Sequence, residues 1–167
     1  MSLVPLADGE DGDRILLTAA NQLNLAGPEA VENKSQNVVV ASLNLRAGKK
    51  AMGMSDFRAA YSYFDKGISF LRKNHWKEHY ALSLELFDLA AECAHTNGDI
   101  VSLQLLCEQV LTYGRSFRDQ LNVMYVFTCA LAFSARLPEA IEKGLDILSK
   151  LGIDLGDLGS SMEVCAQ

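Results

Sequence analysis

Five residues near the middle of the chain, His75-Trp76-Lys77-Glu78-His79, carry the side chains most able to do chemistry. Two histidines four apart on a helix lie one above the other and can share a zinc ion. A glutamate beside them can take a proton from metal-bound water, so the order H-x-x-E-H implies zinc-dependent hydrolysis. Further ligands are scarce. The one other histidine is His95, and Glu139 or Glu142 would have to project from a different part of the fold. The preferred reading leaves His75 and His79 on exposed first turns beside Trp76 and Tyr80, which face a core, and assigns no metal. No Ser-His-Asp or Cys-His grouping has a supporting motif. Cys93, Cys107, Cys129 and Cys165 lie far apart with no CxxC pair. They fit neither a zinc knuckle nor a disulfide framework, and read as apolar fillers in a reducing compartment.

Nucleotide chemistry is not encoded either. No GxxxxGK[ST] occurs, and Gly48-Lys49-Lys50 falls inside a helical pattern, where it cannot wrap a phosphate. The HRD, DFG and glycine-loop motifs of kinases are also missing from the sequence. The expectation is a protein with no enzyme activity and no cofactor.

Whatever those residues do, helices must position them. Asn44 to Leu71 reads as two amphipathic helices around a tight turn, with small residues where the two would touch. Similar turns stand at Asn97-Gly98-Asp99 and Ser134-Ala135-Arg136, and from Asp56 to Asp99 to Arg136 the spacings are 43 and 37 residues. A period near 40 marks a helical-repeat array, in which each hairpin needs its neighbours to cover its apolar face. The pattern predicts about seven antiparallel helices, all-α, with no strand. The hairpins pair 35–53 with 56–72, 75–97 with 99–114, and 117–136 with 138–151, after a first helix from Asp13 to about Leu25. Asn74, Asp99 and either Ser116 or Asp119 are the expected N-caps, Pro138 opens the last helix, and Asn97-Gly98 stops the fourth.

Length and charge divide the chain further. With 167 residues, 49% of them apolar, it makes one domain with a real core. No apolar run reaches the ~20 residues of a membrane span, and the opening MSLVPLADGEDGD has no basic leader, so the expected location is cytoplasmic. Residues 1–12 and 157–167 read as flexible acidic tails around a repeat domain at 13–156. Six acids in the two ends (residues 1–12 and 154–167) equal the net charge of −6. Between them, residues 13–77 carry ten bases and five acids, and residues 78–153 carry five and ten. Solvated faces are the simpler account of this asymmetry, and no basic patch suggests nucleic acid.

Gly48, Asp56, Phe57, Ala60, Tyr63, Phe64 and Gly67 fall where tetratricopeptide-type repeats place small, acidic and aromatic residues. The second hairpin keeps Ala91, Gly98 and Asp99. The third keeps Pro138-Glu139-Ala140 but has Gly144 at the aromatic position. Together with NLRAGKKA, the series Trp76, Tyr80, Leu84-Glu85-Leu86, Ala90-Ala91-Glu92, and PEAIEKGLDILSKLGIDL, the chain resembles a particular helical segment. It is the tetratricopeptide-like α-solenoid that follows the AAA/STAND-type ATPase module in large signalling proteins with kinase-like and histidine-kinase domains. The resemblance covers most of residues 14–156. It implies a scaffold for protein or interdomain contacts in a signal-transduction assembly, present here as a fragment or a stand-alone relative.

In such an array the first helices line a concave face. Asn44, Lys49, Glu85, Asp88 and Asn122 are the polar positions expected there for a protein partner. Gly48, Ala60, Phe64, Gly67, Trp76, Ala91, Ala140 and Gly144 are expected to pack helix on helix. Two alternatives accompany this reading: the zinc-dependent hydrolase built on residues 75–79, and an inert structural spacer.

Overall fold

The computed structural model describes residues 10–31 and 33–153. They form eight α-helices: α1 (Glu10–Ala26), α2 (Lys34–Gly53), α3 (Phe57–Phe70), α4 (His75–Glu78), α5 (Tyr80–Thr96), α6 (Ile100–Tyr113), α7 (Phe117–Phe133) and α8 (Leu137–Lys150). A 3-10 turn, Pro28–Ala30, separates α1 from α2. No strand occurs among the described residues, so the all-α expectation holds. The helix count is one higher than expected because the fourth helix is broken at His79, whose φ of −134° and ψ of 47° are not helical. The first helix also starts three residues before Asp13, at Glu10. The rest of the expected N-terminal tail, and all of 157–167, lie outside the described residues.

The helix starts at Asp56, Asp99 and Ser116 follow the sequence, whereas the expected caps Asp13, which lies inside α1, and Asn74 do not. Carboxylates of Asp56 and Asp99 accept from the backbone N–H groups of Ala59 and Ser102, each at 3.0 Å. The Ser116 hydroxyl accepts from the Asp119 N–H at 3.2 Å, which decides that start between the two residues. Each bond satisfies a backbone donor that an α-helix leaves free in its first turn. Asn74 does not cap. Its backbone is left-handed (φ 72°) and its side chain makes no cap bond to α4.

The three turns inside the hairpins share one geometry. Ser55, Gly98 and Ala135 take φ of 61°, 76° and 59°. In each, the following N–H reaches back five residues: Asp56 to the Ala51 carbonyl, Asp99 to Ala94, and Arg136 to Leu131, at 2.9, 2.9 and 3.0 Å. This is the left-handed stop in which trailing carbonyls of a helix regain partners. It folds α2 onto α3, α5 onto α6, and α7 onto α8, as the hairpin pattern predicts. The hairpins then stack, with α3 on α5, and α5 and α6 on α7, while α1 lies against α2. No helix among the described residues is long and apolar enough to cross a membrane.

Packing is closest in the first hairpin. A Cβ added to Gly48 would stand 2.3 Å from the Phe64 ring, and one added to Gly67 would stand 2.8 Å from Leu86 Cδ2. Ala60 and Phe64 are wholly buried, in one core cluster with Val40, Leu45, Leu86 and Ala90. A second cluster gathers Trp76, Phe87, Ala91, Leu103, Val110 and Val123. Tyr61, Ile68 and Leu106 pack against both clusters, so the stack has one continuous interior. The last hairpin departs from expectation. Ala140 is buried, but a Cβ at Gly144 would meet nothing within 4 Å. Gly144 is therefore not a helix-contact glycine: α8 buries Ala140 and Ile147 and leaves Leu137, Ile141 and Leu145 exposed.

These contrasts set two expectations for stability. Gly48→Ala should cost about 1–3 kcal/mol by forcing the buried Phe64 ring aside, whereas Gly144→Ala should gain about 0.5–1 kcal/mol of helix propensity. Thermal melts of both variants read this directly, and equal shifts would contradict the packing. Separately, Ala135→Gly should stabilise by about 0.5–1 kcal/mol, since glycine adopts the left-handed turn without a Cβ penalty. A lower melting temperature for that variant would contradict the turn.

Candidate functional site

The histidine motif does not form the arrangement that zinc hydrolysis requires. Helix α4 ends at Glu78, so His75 and His79 do not share one face of a continuous helix. His75 is half-buried, its ring stacked on Phe87 at 5.9 Å between centroids and tilted 37° to Trp76. Its Nδ1 lies 2.9 Å from Ser83 Oγ, and that hydroxyl donates to the His79 carbonyl at 3.0 Å. Nδ1 and Ser83 Oγ are therefore hydrogen-bonded to each other, the donor being set by the imidazole tautomer. Burial, and then the neighbouring His79, lower the His75 pKa from its ordinary value. Among the described residues no group of three or more His, Cys, Asp or Glu is placed to hold a metal ion.

The thiols are equally quiet. Burial raises the Cys93 and Cys107 pKa values to about 11 and about 12, so both are protonated at neutral pH and act as packing groups.

The expected partner-binding residues divide. Asn44 is fully buried, and its amide exchanges two hydrogen bonds with Asn24, at 2.8 and 2.9 Å, while also donating to the Val40 carbonyl. It holds α1 on α2 and does not stand on an open face, because α1 covers that side of α2. Lys49 on α2 and Glu85 on α5 form an ion pair, both about half exposed. Asn122 on α7 donates to Glu92 on α5 at 2.9 Å. Lys49, Glu85, Glu92 and Asn122 thus run as a polar row across the first helices of the three hairpins. Glu92 was not anticipated, although it lies seven residues from Glu85, two turns along the same helix.

Asp88 lies within this row and differs from its neighbours. Its Oδ1 is buried and accepts no hydrogen bond. Burial, followed by the charges of Glu92, Asp119 and Glu85, raises its pKa from 3.8 to about 7. Asp119, by contrast, accepts from the Tyr80 hydroxyl at 2.6 Å, and that bond lowers its pKa. Tyr80 is itself held by the Arg115 N–H at 2.8 Å, with the Arg115 guanidinium 3.9 Å above its ring. This network ties the α6–α7 loop to the start of α5, at one end of the polar row.

Comparison of the chain with family models, curated proteins and solved structures finds no match.

The Asp88 carboxyl makes stability depend on pH in a definite direction. Its folded pKa lies above its unfolded value, so the fold holds the proton more tightly. The stabilisation is present below about pH 4 and is lost as pH rises to about 7. Asp88→Asn should remove this dependence. At about pH 8 the variant should be more stable than the parent by about 1–3 kcal/mol, less than the full shift implies because the side chain is partly hydrated. Below about pH 4 the advantage should vanish. Parallel melting curves for the two proteins across that range would place Asp88 in water.

Proposed function

We propose that this chain is a non-enzymatic, tetratricopeptide-like α-solenoid of the cytoplasm. It binds protein through the polar row on its first helices, as a contact module in a signal-transduction ATPase or kinase assembly. The observation that carries the reading is the recurrence of one left-handed turn at Ser55, Gly98 and Ala135. Three hairpins closed in one way bring α2, α5 and α7 into succession, with Lys49, Glu85, Asp88, Glu92 and Asn122 crossing from one to the next. A repeat scaffold presents such a surface without any catalytic group. The resemblance of the sequence to the segment behind an ATPase module supplies the kind of partner. The free, buried thiols Cys93 and Cys107 fit a reducing compartment.

The row is charged and exposed at Glu85, so its contacts should weaken with salt. The test compares three immobilised full-length proteins, the parent, Glu85→Lys and the control Glu108→Lys, for binding to a purified ATPase or kinase fragment from the same organism. The parent and the control should bind alike, and Glu85→Lys should lose the partner. Equal binding by all three would move the interface off the row, and no binding by any would favour a spacer. ATP turnover by the parent protein would overturn the non-enzymatic reading.

A further inference from the structure

A cavity of about 490 Å³ opens where the turn Pro28–Ala30 and the start of α2 meet the end of α3 and α4. That volume lies within the range of small-molecule sites. Arg72 and Lys73, in the loop between α3 and α4, line it. The Arg72 Nη2 donates to the Val31 carbonyl at 2.9 Å and, more distantly, to the Pro28 carbonyl at 3.5 Å. Carbonyl oxygens orient the guanidinium without cancelling its charge. Neither cation takes part in an ion pair among the described residues.

The same cavity carries complementary demands. Asn37 lines it, is 1% exposed, and its Oδ1 accepts no hydrogen bond. His75 also lines it, with Nδ1 committed to Ser83. Glu29 and Glu78 add two carboxylates. Cations and acids are therefore equal in number, which disfavours a bare polyanion and equally a bare polycation. Two carboxylates suit an ammonium group, and Arg72 with Lys73 suits a carboxylate. Phe70, Leu71 and Val38 leave apolar wall for a side chain.

We propose that this cavity binds a free α-amino acid as its zwitterion, with the carboxylate on Arg72 and Lys73 and the ammonium group directed to Glu29 and Glu78. The site lies apart from the polar row and does not depend on the scaffold reading.

Isothermal titration of the full chain with the twenty common amino acids tests it, together with the N-acetyl form and the methyl ester of whichever binds. Acetylation removes the positive charge and esterification the negative one, so each should weaken binding at least about tenfold. Lys73→Gln, on an exposed side chain, should weaken the carboxylate end, and Glu78→Gln the ammonium end, while Glu108→Gln on α6 should leave binding unchanged. No heat from any amino acid at about 10 mM would overturn the proposal. So would an acetylated form that binds as well as its parent, which would mark a simple anion site. Undiminished affinity in both Lys73→Gln and Glu78→Gln would place the ligand elsewhere.

Discussion

Gly48 leaves no room for one more carbon, and this near contact sets the geometry of the first hairpin. With the Phe64 ring 2.3 Å from where a Cβ would stand, the ring of α3 lies against the bare backbone of α2 at this level. Gly67 repeats the device one step out, on Leu86, and so draws α5 against α3. The missing side chain at Gly67 thus helps determine how the second hairpin sits on the first. Leu86 and Ala90 complete the cluster begun by Val40 and Ala60, and Trp76 and Phe87 open the next one. Close-packed interiors transmit such placements rigidly, since there is little void to absorb a shift.

Polar groups then refine what the apolar contacts arrange. The Asn24–Asn44 amide pair secures α1 on α2. The Asn97 side chain donates to the Phe57 carbonyl at 3.1 Å, joining the end of α5 to the start of α3. Tyr80 gathers Asp119 and Arg115 around its hydroxyl, securing the entry to α7. Against these satisfied groups, the bare oxygens of Asp88 and Asn37 stand out. Each carries a desolvation cost of about 1–3 kcal/mol that the core must offset. One lies in the polar row that faces a protein partner in our reading, and the other lines the cavity beside His75. Stability withheld at such places is how binding surfaces commonly differ from the rest of a fold.

Much of this architecture was legible in the residues themselves. Hydrophobic spacing, the cap at Asp99, the helix starts near Asp56 and at Ser116 or Asp119, and the stops at the hairpin turns are local properties, decided within about one helical turn of chain. They determined that the described residues are helical, where the hairpins fold, and which residues of the first hairpin touch. The contacts of Ala60, Phe64 and Gly67 follow from size and period alone, so they survive into the structure unchanged.

What depends on distant partners could be decided only by the tertiary structure. Asn44 has the same residue type and helix as a surface asparagine, yet α1 folds over it and turns it inward. Gly144 occupies a contact position by period, but no helix among the described residues reaches it. The motif at residues 75–79 matches a zinc pattern in one dimension. The chain leaves the helix at His79, and Ser83 and Phe87 claim His75 for the interior of α5. Asp88 acquires its raised pKa first from burial and then from Glu92, Asp119 and Glu85, of which Asp119 is supplied by another helix. Sequence determined the elements because their energies are local. Burial and charge at a site belong to whichever helix arrives opposite, and that is a property of the packed stack.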